Sequence, residues 1–367
     1  MKRDVAESTD PRPNLYGMSR AELEAFLEAL GAPRYHGDQV FRWLYARRCF
    51  DPGAFTDLPK TLRTQLASTA RVAVPTLASK VVADDGTVKY AVSLPEGGVV
   101  ETVFMVQRER ITLCASSQVG CALMCGFCLT ARMGLVRHLT PGEIVGQIAL
   151  IQQAQGLGSR PFNIVFMGMG EPLHNYDGVV AAIGLLVDPD GFALAKRRIT
   201  ISTSGIAPAI ERLAGEPVRP RLAVSLNATT DAVRDRIMPV NKKYPIARLL
   251  SACRRFAQST GEPFTFEYVL LAGVNDTDGD VARLVKLLRA NPAKLNLIPF
   301  NEVPGWLPYR APDRARIVAI RDQLLAQGLR VSIRWSRGAT ARAACGQLAV
   351  LDAAKVPAAL SSGEVTL

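Results

Sequence analysis

Apolar residues recur at helical spacing over the first part of the chain and at strand spacing beyond it. Leu23, Phe26, Leu27 and Leu30 share one helical face, preceded by a Ser19/Glu22 capping box and followed by Gly31 as a C-terminal stop. Val40, Phe41, Leu44 and Tyr45 form a second such face with Arg42, Arg47 and Arg48 off it, and Leu58-Pro59 opens a third helix. Residues 76–83, 88–94, 99–106 and 111–115 then read as strands. Turns at Asp85-Gly86 and Glu96-Gly97-Gly98 make them an antiparallel meander.

From Thr140 the pattern alternates helix with strand. Thr140-Pro141-Gly142-Glu143 caps a helix, and buried-type strands follow at 162–167, 198–202, 221–226, 264–270, 294–300 and 330–334. Counting 111–115, these are about seven parallel strands with crossover helices. The expected fold is α/β, a complete or partial barrel with chemistry at the strand C-terminal ends. A doubly wound open sheet is the alternative, weakened because the first strand-to-helix turn lacks G-x-G-x-x-G. The expected divisions are a disordered leader (1–14), an N-terminal helical accessory domain (15–72), a β extension (73–110), the barrel (111–350) and a C-terminal tail (351–367). The helical domain carries a basic surface and either faces RNA or only packs on the barrel.

Composition narrows the class. The 367 residues suffice for a sizeable core, and a net charge of +11 favours a polyanionic partner. The polar start and the lack of a long apolar run exclude a secretory signal and a membrane span, so a cytoplasmic protein is expected. Seven cysteines in a reducing compartment fit metal ligands and reactive thiols better than a disulfide framework, and three histidines exclude a histidine-rich metal site.

Three of those cysteines fall within eight residues, Cys121-Ala-Leu-Met-Cys125-Gly-Phe-Cys128. A loop turning through them can aim three thiolates at one centre, and three ligands on a four-iron cluster leave one iron open. Zinc held with His138, or a redox pair of Cys125 and Cys128, are the other readings. Polar groups end the later strands: Gly168-Met169-Gly170-Glu171-Pro172, Ser202-Thr203-Ser204-Gly205, Ser225-Leu226-Asn227 and Pro299-Phe300-Asn301. Glycines there permit close backbone approach, and Glu171 can accept from an ammonium group.

The cysteine loop followed by these segments resembles the radical S-adenosylmethionine superfamily. Gly168 to Leu173, Lys196-Arg197-Arg198, Met238-Pro239-Val240-Asn241-Lys242, Glu267-Tyr268-Val269-Leu270, Gly273-Val274-Asn275-Asp276 and Ala343-Ala344-Cys345-Gly346-Gln347-Leu348 resemble, more narrowly, the RlmN-type adenine C2 methyltransferases. The resemblance implies a partial (β/α)6 TIM-like barrel of the radical SAM type, with a 4Fe-4S cluster on Cys121, Cys125 and Cys128. It also implies S-adenosyl-L-methionine, two per turnover, bound by Gly170, Glu171, Ser202, Ser225, Leu226, Asn227 and Asn301. Cys345 would carry the methyl group, Cys114 would resolve the protein–RNA adduct through a Cys114–Cys345 disulfide, and Cys114 or Glu101 would take the C2 proton. Thiolate character would suit Cys114 to that work. Asn227 stands where the family often has His, and residues 337–342 replace a usually acidic stretch. Cys49 and Cys253 read as packing residues.

The implied substrates are 23S rRNA and a tRNA adenosine beside the anticodon, extruded from the stack. Arg197, Arg198, Lys242, Lys243, Arg254 and Arg255 are candidate phosphate contacts. An electron-donor protein such as flavodoxin or ferredoxin, no membrane partner and a monomeric state complete the expectation. Two alternatives stand beside it: a Cfr-like C8 adenosine methyltransferase, against which Gly-Glu-Pro-Leu argues, and a non-catalytic iron–sulfur or zinc RNA-binding protein, which leaves Cys114 and Cys345 without a purpose.

Overall fold

The computed structural model describes residues 10–349. Three N-terminal helices come first: α1 (Arg20–Ala29), α2 (Tyr35–Phe41), continued by a π turn over Arg42–Ala46, and α3 (Lys60–Thr69). The Ser19 hydroxyl accepts from Glu22 N while the Glu22 carboxylate accepts from Ser19 N, a cap that contributes about 1 kcal/mol. Their apolar faces meet through Leu23, Leu27, Val40, Phe41, Leu44, Tyr45, Leu62 and Leu66, all buried.

Strands β1 (Thr76–Val82), β2 (Val88–Ser93), β3 (Val99–Gln107) and β4 (Arg110–Cys114) pair antiparallel, as the short turns between them require. A small hairpin of β5 (Gln118–Gly120) and β6 (Leu135–His138) follows, which the sequence did not announce. Then come α4 (Pro141–Ala154), β7 (Phe162–Phe166), α5 (Tyr176–Val187), β8 (Ile199–Thr203), α6 (Ala207–Ala214) and β9 (Arg221–Ser225). The remainder is α7 (Asp231–Ile237), α8 (Ile246–Thr260), β10 (Phe264–Leu270), α9 (Asp278–Arg289), β11 (Ala293–Pro299), α10 (Arg314–Ala326) and β12 (Val331–Ile333).

All strands except β5 and β6 join one ten-stranded sheet in the order β1-β2-β3-β4-β7-β8-β9-β10-β11-β12. From β4 onward every neighbour is parallel, so β4 is both the last strand of the meander and the first of the barrel. Six strand–helix units precede the three-residue β12, and the order has two free ends, which makes the barrel open. One face of β9 to β11 buries the alternate residues Leu222, Val224, Phe264, Phe266, Tyr268, Leu295 and Leu297, while Ser225, Glu267 and Val269 on the other face line a cavity.

The helical domain is fastened to the barrel. Tyr45 Oη accepts from Gly17 N and donates to Met18 O, each at 2.8 Å. Gly142 at the start of α4 lies so close to Tyr16 that an added Cβ would sit 2.2 Å from its carbonyl oxygen. Arg20 pairs with Asp188 and Asp190, both at 3.0 Å, in the connection after α5. Of the expected leader, residues 1–9 lie outside the described residues. Residues 10–14 depart from a disordered leader, because Pro13 O accepts from Arg71 N and Asn14 exchanges two hydrogen bonds with Ala73. The expected tail, 351–367, also lies outside the described residues.

Candidate active site

The β5–β6 hairpin closes the base of the cysteine loop. Cys121 N donates to Gly134 O at 2.9 Å, and Gly120, at φ +76°, packs so tightly that an added Cβ would lie 1.8 Å from Gly134 O. Only glycine fits that position. At the tip, Gly126 N donates to Ile237 O at the end of α7, and Leu129 N donates to Gly346 O, so the loop touches both the β9 connection and the Cys345 segment.

Cys121, Cys125 and Cys128 line a cavity of about 940 Å³, counting its open mouth, at the C-terminal ends of the parallel strands. The same walls hold Gly170, Glu171, Ser202, Ser225, Asn301 and Cys345. Nine of the thirteen site residues expected from sequence therefore share one cavity. Glu171 is 2 % exposed, and Ser204 N and Leu173 N donate to its two oxygens at 2.7 and 3.0 Å. Burial nevertheless raises its pKa, against those hydrogen bonds.

Leu226 and Asn227 stand behind the wall. Leu226 O accepts from Arg234 Nε, and Asn227 Oδ1 accepts from Val269 N, tying β9 to β10. Asn227 adopts φ +54°, a left-handed conformation that asparagine tolerates better than most residues. Arg234, absent from the sequence reading, is fully buried and also donates to Ser204 O and Ser225 O, bracing two strand ends. Burial depresses its pKa to about 10.

Parallel register sets Ser225, Glu267, Asn296 and Ser332 in one row across β9 to β12. Ser332 Oγ donates to Asn296 Oδ1 (2.6 Å), and Asn296 Nδ2 donates to Glu267 Oε1 (2.9 Å). Glu267 Oε2, buried and lining the cavity, receives no hydrogen bond, and Arg334 approaches it only to 3.7 Å. The sequence signal for Glu267 was a charge inside the apolar strand Phe264-Thr-Phe-Glu-Tyr-Val-Leu270.

Cys345 belongs to a segment without helix or strand, and Asn301 Nδ2 donates to its carbonyl oxygen at 3.0 Å. Cys114 ends β4 with Val103 opposite it, and Glu101 follows on the same face of β3. Neither Cys114 nor Glu101 lines the cavity. Cys114 is fully buried, and burial pushes its thiol up to about 12, with Cys345 raising it further and Arg334 opposing. The expected thiolate character is thus not present at neutral pH, because desolvation outweighs the nearby guanidinium. Burial also raises Glu101, against an ion pair with Lys89 at 2.8 Å and a hydrogen bond from Ala349 N at 2.9 Å. All seven cysteines are free thiols, Cys114 and Cys345 included. Cys253 is buried in the core, as packing predicts.

Among the described residues, no three His, Cys, Asp or Glu side chains converge closely enough for a single metal ion. His138 faces elsewhere, sharing Gln118 Nε2 with His174 and stacking edge-on against it. Ligands of a cluster each bind a different iron, so three thiols along one wall suit a cluster better than zinc. The buried acceptor Glu267 Oε2 leaves room for a donor from a bound molecule. The donor set thus fits a cluster with an adenosyl ligand beside it.

Of the basic candidates, Lys242 and Lys243 follow α7 at the cavity end. Arg197 and Arg198 immediately precede β8, at the opposite end of the barrel, and Arg254 bonds Asn291 ahead of β11 at that same end. Arg255 pairs with Glu211.

The sequence matches two families: "Radical SAM superfamily" over residues 116–285 and "Ribosomal RNA large subunit methyltransferase N-terminal domain" over residues 13–72. A dual-specificity RNA methyltransferase RlmN of Geobacter sulfurreducens is 48 % identical over 358 residues, spanning 97 % of this chain and 98 % of that protein. One from Anaeromyxobacter sp. (strain Fw109-5) is 46 % identical over 346 residues, spanning 93 % and 91 %. The crystal structure of a radical SAM methyltransferase from Sphaerobacter thermophilus superposes with a TM-score of 0.85 at 45 % identity, covering 92 % of this chain and 99 % of that one. With cysteine loop, barrel and helical domain all matched across nearly the full length, the chain belongs to the RlmN family of radical SAM methyltransferases.

Proposed function

We propose that the protein methylates C2 of adenosine in 23S rRNA and in tRNA next to the anticodon, in the cytoplasm, using Cys345 as a methyl carrier. The observation that carries this reading is the position of Cys345 on the wall of the cavity that also holds Cys121, Cys125 and Cys128. A carrier thiol facing the radical source is what a methyl transfer to an unactivated aromatic carbon needs.

Cys121, Cys125 and Cys128 would hold a 4Fe-4S cluster, and Gly170, Glu171, Ser202, Ser225 and Asn301 would hold S-adenosylmethionine, two per turnover, with Leu226 and Asn227 supporting from behind the wall. Bound there, these groups supply a methyl group and hydrogen-atom abstraction. Cys345 Sγ receives the methyl group, and the activated carbon is joined to adenine C2 while still bonded to sulfur. The C2 proton passes to Cys114 or Glu101, and the unpaired electron left on the adduct would pass to a one-electron acceptor of the iron–sulfur class. Cys114 Sγ then attacks Cys345 Sγ: an S–S bond forms and the S–C bond breaks. The electron pair goes to the carbon, which takes a proton and becomes methyl. A thiol reductant returns the Cys114–Cys345 disulfide to two thiols, and an electron-donor protein such as flavodoxin or ferredoxin serves the cluster. Residues 15–72 act as an accessory domain, 73–110 as a β extension and 111–350 as the catalytic barrel of a monomer.

Mass spectrometry of digested RNA from cells with and without the gene tests the reading. The expected result is loss of 2-methyladenosine from both RNAs; loss of 8-methyladenosine, or of neither, overturns it.

A further inference from the structure

The segment carrying Cys345 is held on two sides. Towards the cavity, Leu129 N donates to Gly346 O (2.7 Å), Thr130 Oγ1 to Leu348 O (2.5 Å) and Asn301 Nδ2 to Cys345 O (3.0 Å). On the other side stands the β extension, whose turn between β1 and β2 meets residues 252 to 256 positions away in the sequence. Asp85 Oδ2 accepts from Gly338 N (3.0 Å) and Arg337 Nε (3.3 Å), Asp85 O accepts from Arg337 Nη2 (3.2 Å), and Asp84 N donates to Thr340 Oγ1 (3.2 Å).

Asp85 is built for this contact. Its other oxygen accepts from Thr87 N at 3.0 Å, which fixes the carboxylate within its own turn. Gly338, at φ +68°, lies so near that an added Cβ would be 2.8 Å from Thr87 Cγ2 and 2.6 Å from Ala343 Cβ. Farther along, Lys89 Nζ donates to Arg342 O (3.4 Å) and pairs with Glu101, whose other oxygen accepts from Ala349 N. Both oxygens of Glu101 are therefore engaged, one of them by the backbone on the far side of Cys345.

We propose that the β1–β2 turn and the Lys89–Glu101 pair form an anchor that positions the Cys345 segment, with Asp85 as its main positioning residue. The functional half of this proposal rests on Cys345 being the methyl carrier; the anchorage does not. A carrier thiol must meet a methyl donor, an RNA carbon and Cys114 in turn, and a segment closed internally by turns, without helix or strand, leans on its neighbours to stay near them. Fastening its two ends to a rigid sheet confines the thiol while leaving its side chain free to turn. When the anchor is lost, radical generation continues but finds the carrier out of place.

The test compares wild type with Asp85→Ala and Asp85→Asn. In the cofactor-free protein, hydrogen exchange of the 338–349 amides should quicken about tenfold in Asp85→Ala and less in Asp85→Asn, which keeps one acceptor oxygen. In reconstituted protein with RNA, iron content should match wild type, while 5′-deoxyadenosine released per methyl transferred should rise severalfold. Unchanged exchange overturns the anchorage. Faster exchange with an unchanged ratio, or iron and turnover falling together at a constant ratio, overturns its positioning role. If Cys345→Ala still methylates RNA, the carrier assignment fails while the exchange result stands.

Discussion

Glu267 places a carboxylate in the cavity with one oxygen hydrogen-bonded and the other held only by Arg334 at 3.7 Å, and burial raises its pKa against that charge. For an acid raised on folding, the native state binds more protons than the unfolded chain, so stability falls as pH climbs from the ordinary carboxyl value through the raised one. Replacing it with glutamine removes the charge and keeps the acceptor for Asn296. Glu267→Gln should therefore stabilise the cofactor-free protein at pH 8 by about 1 kcal/mol, with the gain vanishing near pH 4, read from denaturant unfolding at both values. Cys114 obeys the same physics with a different readout. Its thiol lies near 12, so adduct release that needs its thiolate should quicken about tenfold per pH unit between 7 and 9. A flat profile over that range would assign the slow step elsewhere. At Asn227 the sequence raised a doubt that its left-handed backbone answers, since the side chain bonds Val269 rather than facing the cavity.

Strands and caps were largely legible, because they depend on neighbours a few residues apart. The predicted 264–270 strand is β10 as observed, the 162–167 strand exceeds β7 by one residue, and the Thr140/Glu143 capping box forms as read. The β5–β6 hairpin was not legible, since its short strands carry no long alternating pattern and Gly120 matters only through its contact with Gly134. That contact gives a prediction. Gly120→Ala should keep the hairpin from closing, cost roughly 2 kcal/mol or more, and lower iron per chain after anaerobic reconstitution, as measured by iron assay and visible absorbance. Full iron loading in that variant would show that the hairpin does not shape the cysteine loop.

At the scale of the molecule, what escaped the sequence is what pairs distant positions. Glu267 meets Asn296 only through parallel register, and Asp85 meets Gly338 across 253 residues. The basic residues illustrate the same limit: charge is visible in the chain, but which end of the barrel carries Arg197 is decided by its place before β8. The helical domain packs tightly on α4, so removing residues 1–74 should uncover the α4 face around Gly142 and Gly146, against which Tyr16 lies, and yield an aggregating protein, seen by size-exclusion chromatography. A well-behaved monomer would mean that the domain is dispensable for the barrel. No helix among the described residues is long and apolar enough to cross a membrane.

On the proposed function, one thiol, Cys345, carries the methyl carbon to RNA and another, Cys114, releases it. The most direct test is Cys114→Ala, reconstituted anaerobically and incubated with S-adenosylmethionine, a reductant and substrate RNA, then digested with nuclease and protease for peptide mass spectrometry. The account predicts a covalent adduct joining Cys345 through one methylene carbon to C2 of adenosine, absent in the Cys114→Ala/Cys345→Ala double variant. Free 2-methyladenosine formed at the wild-type rate with no adduct, or an adduct on any other residue, would contradict it.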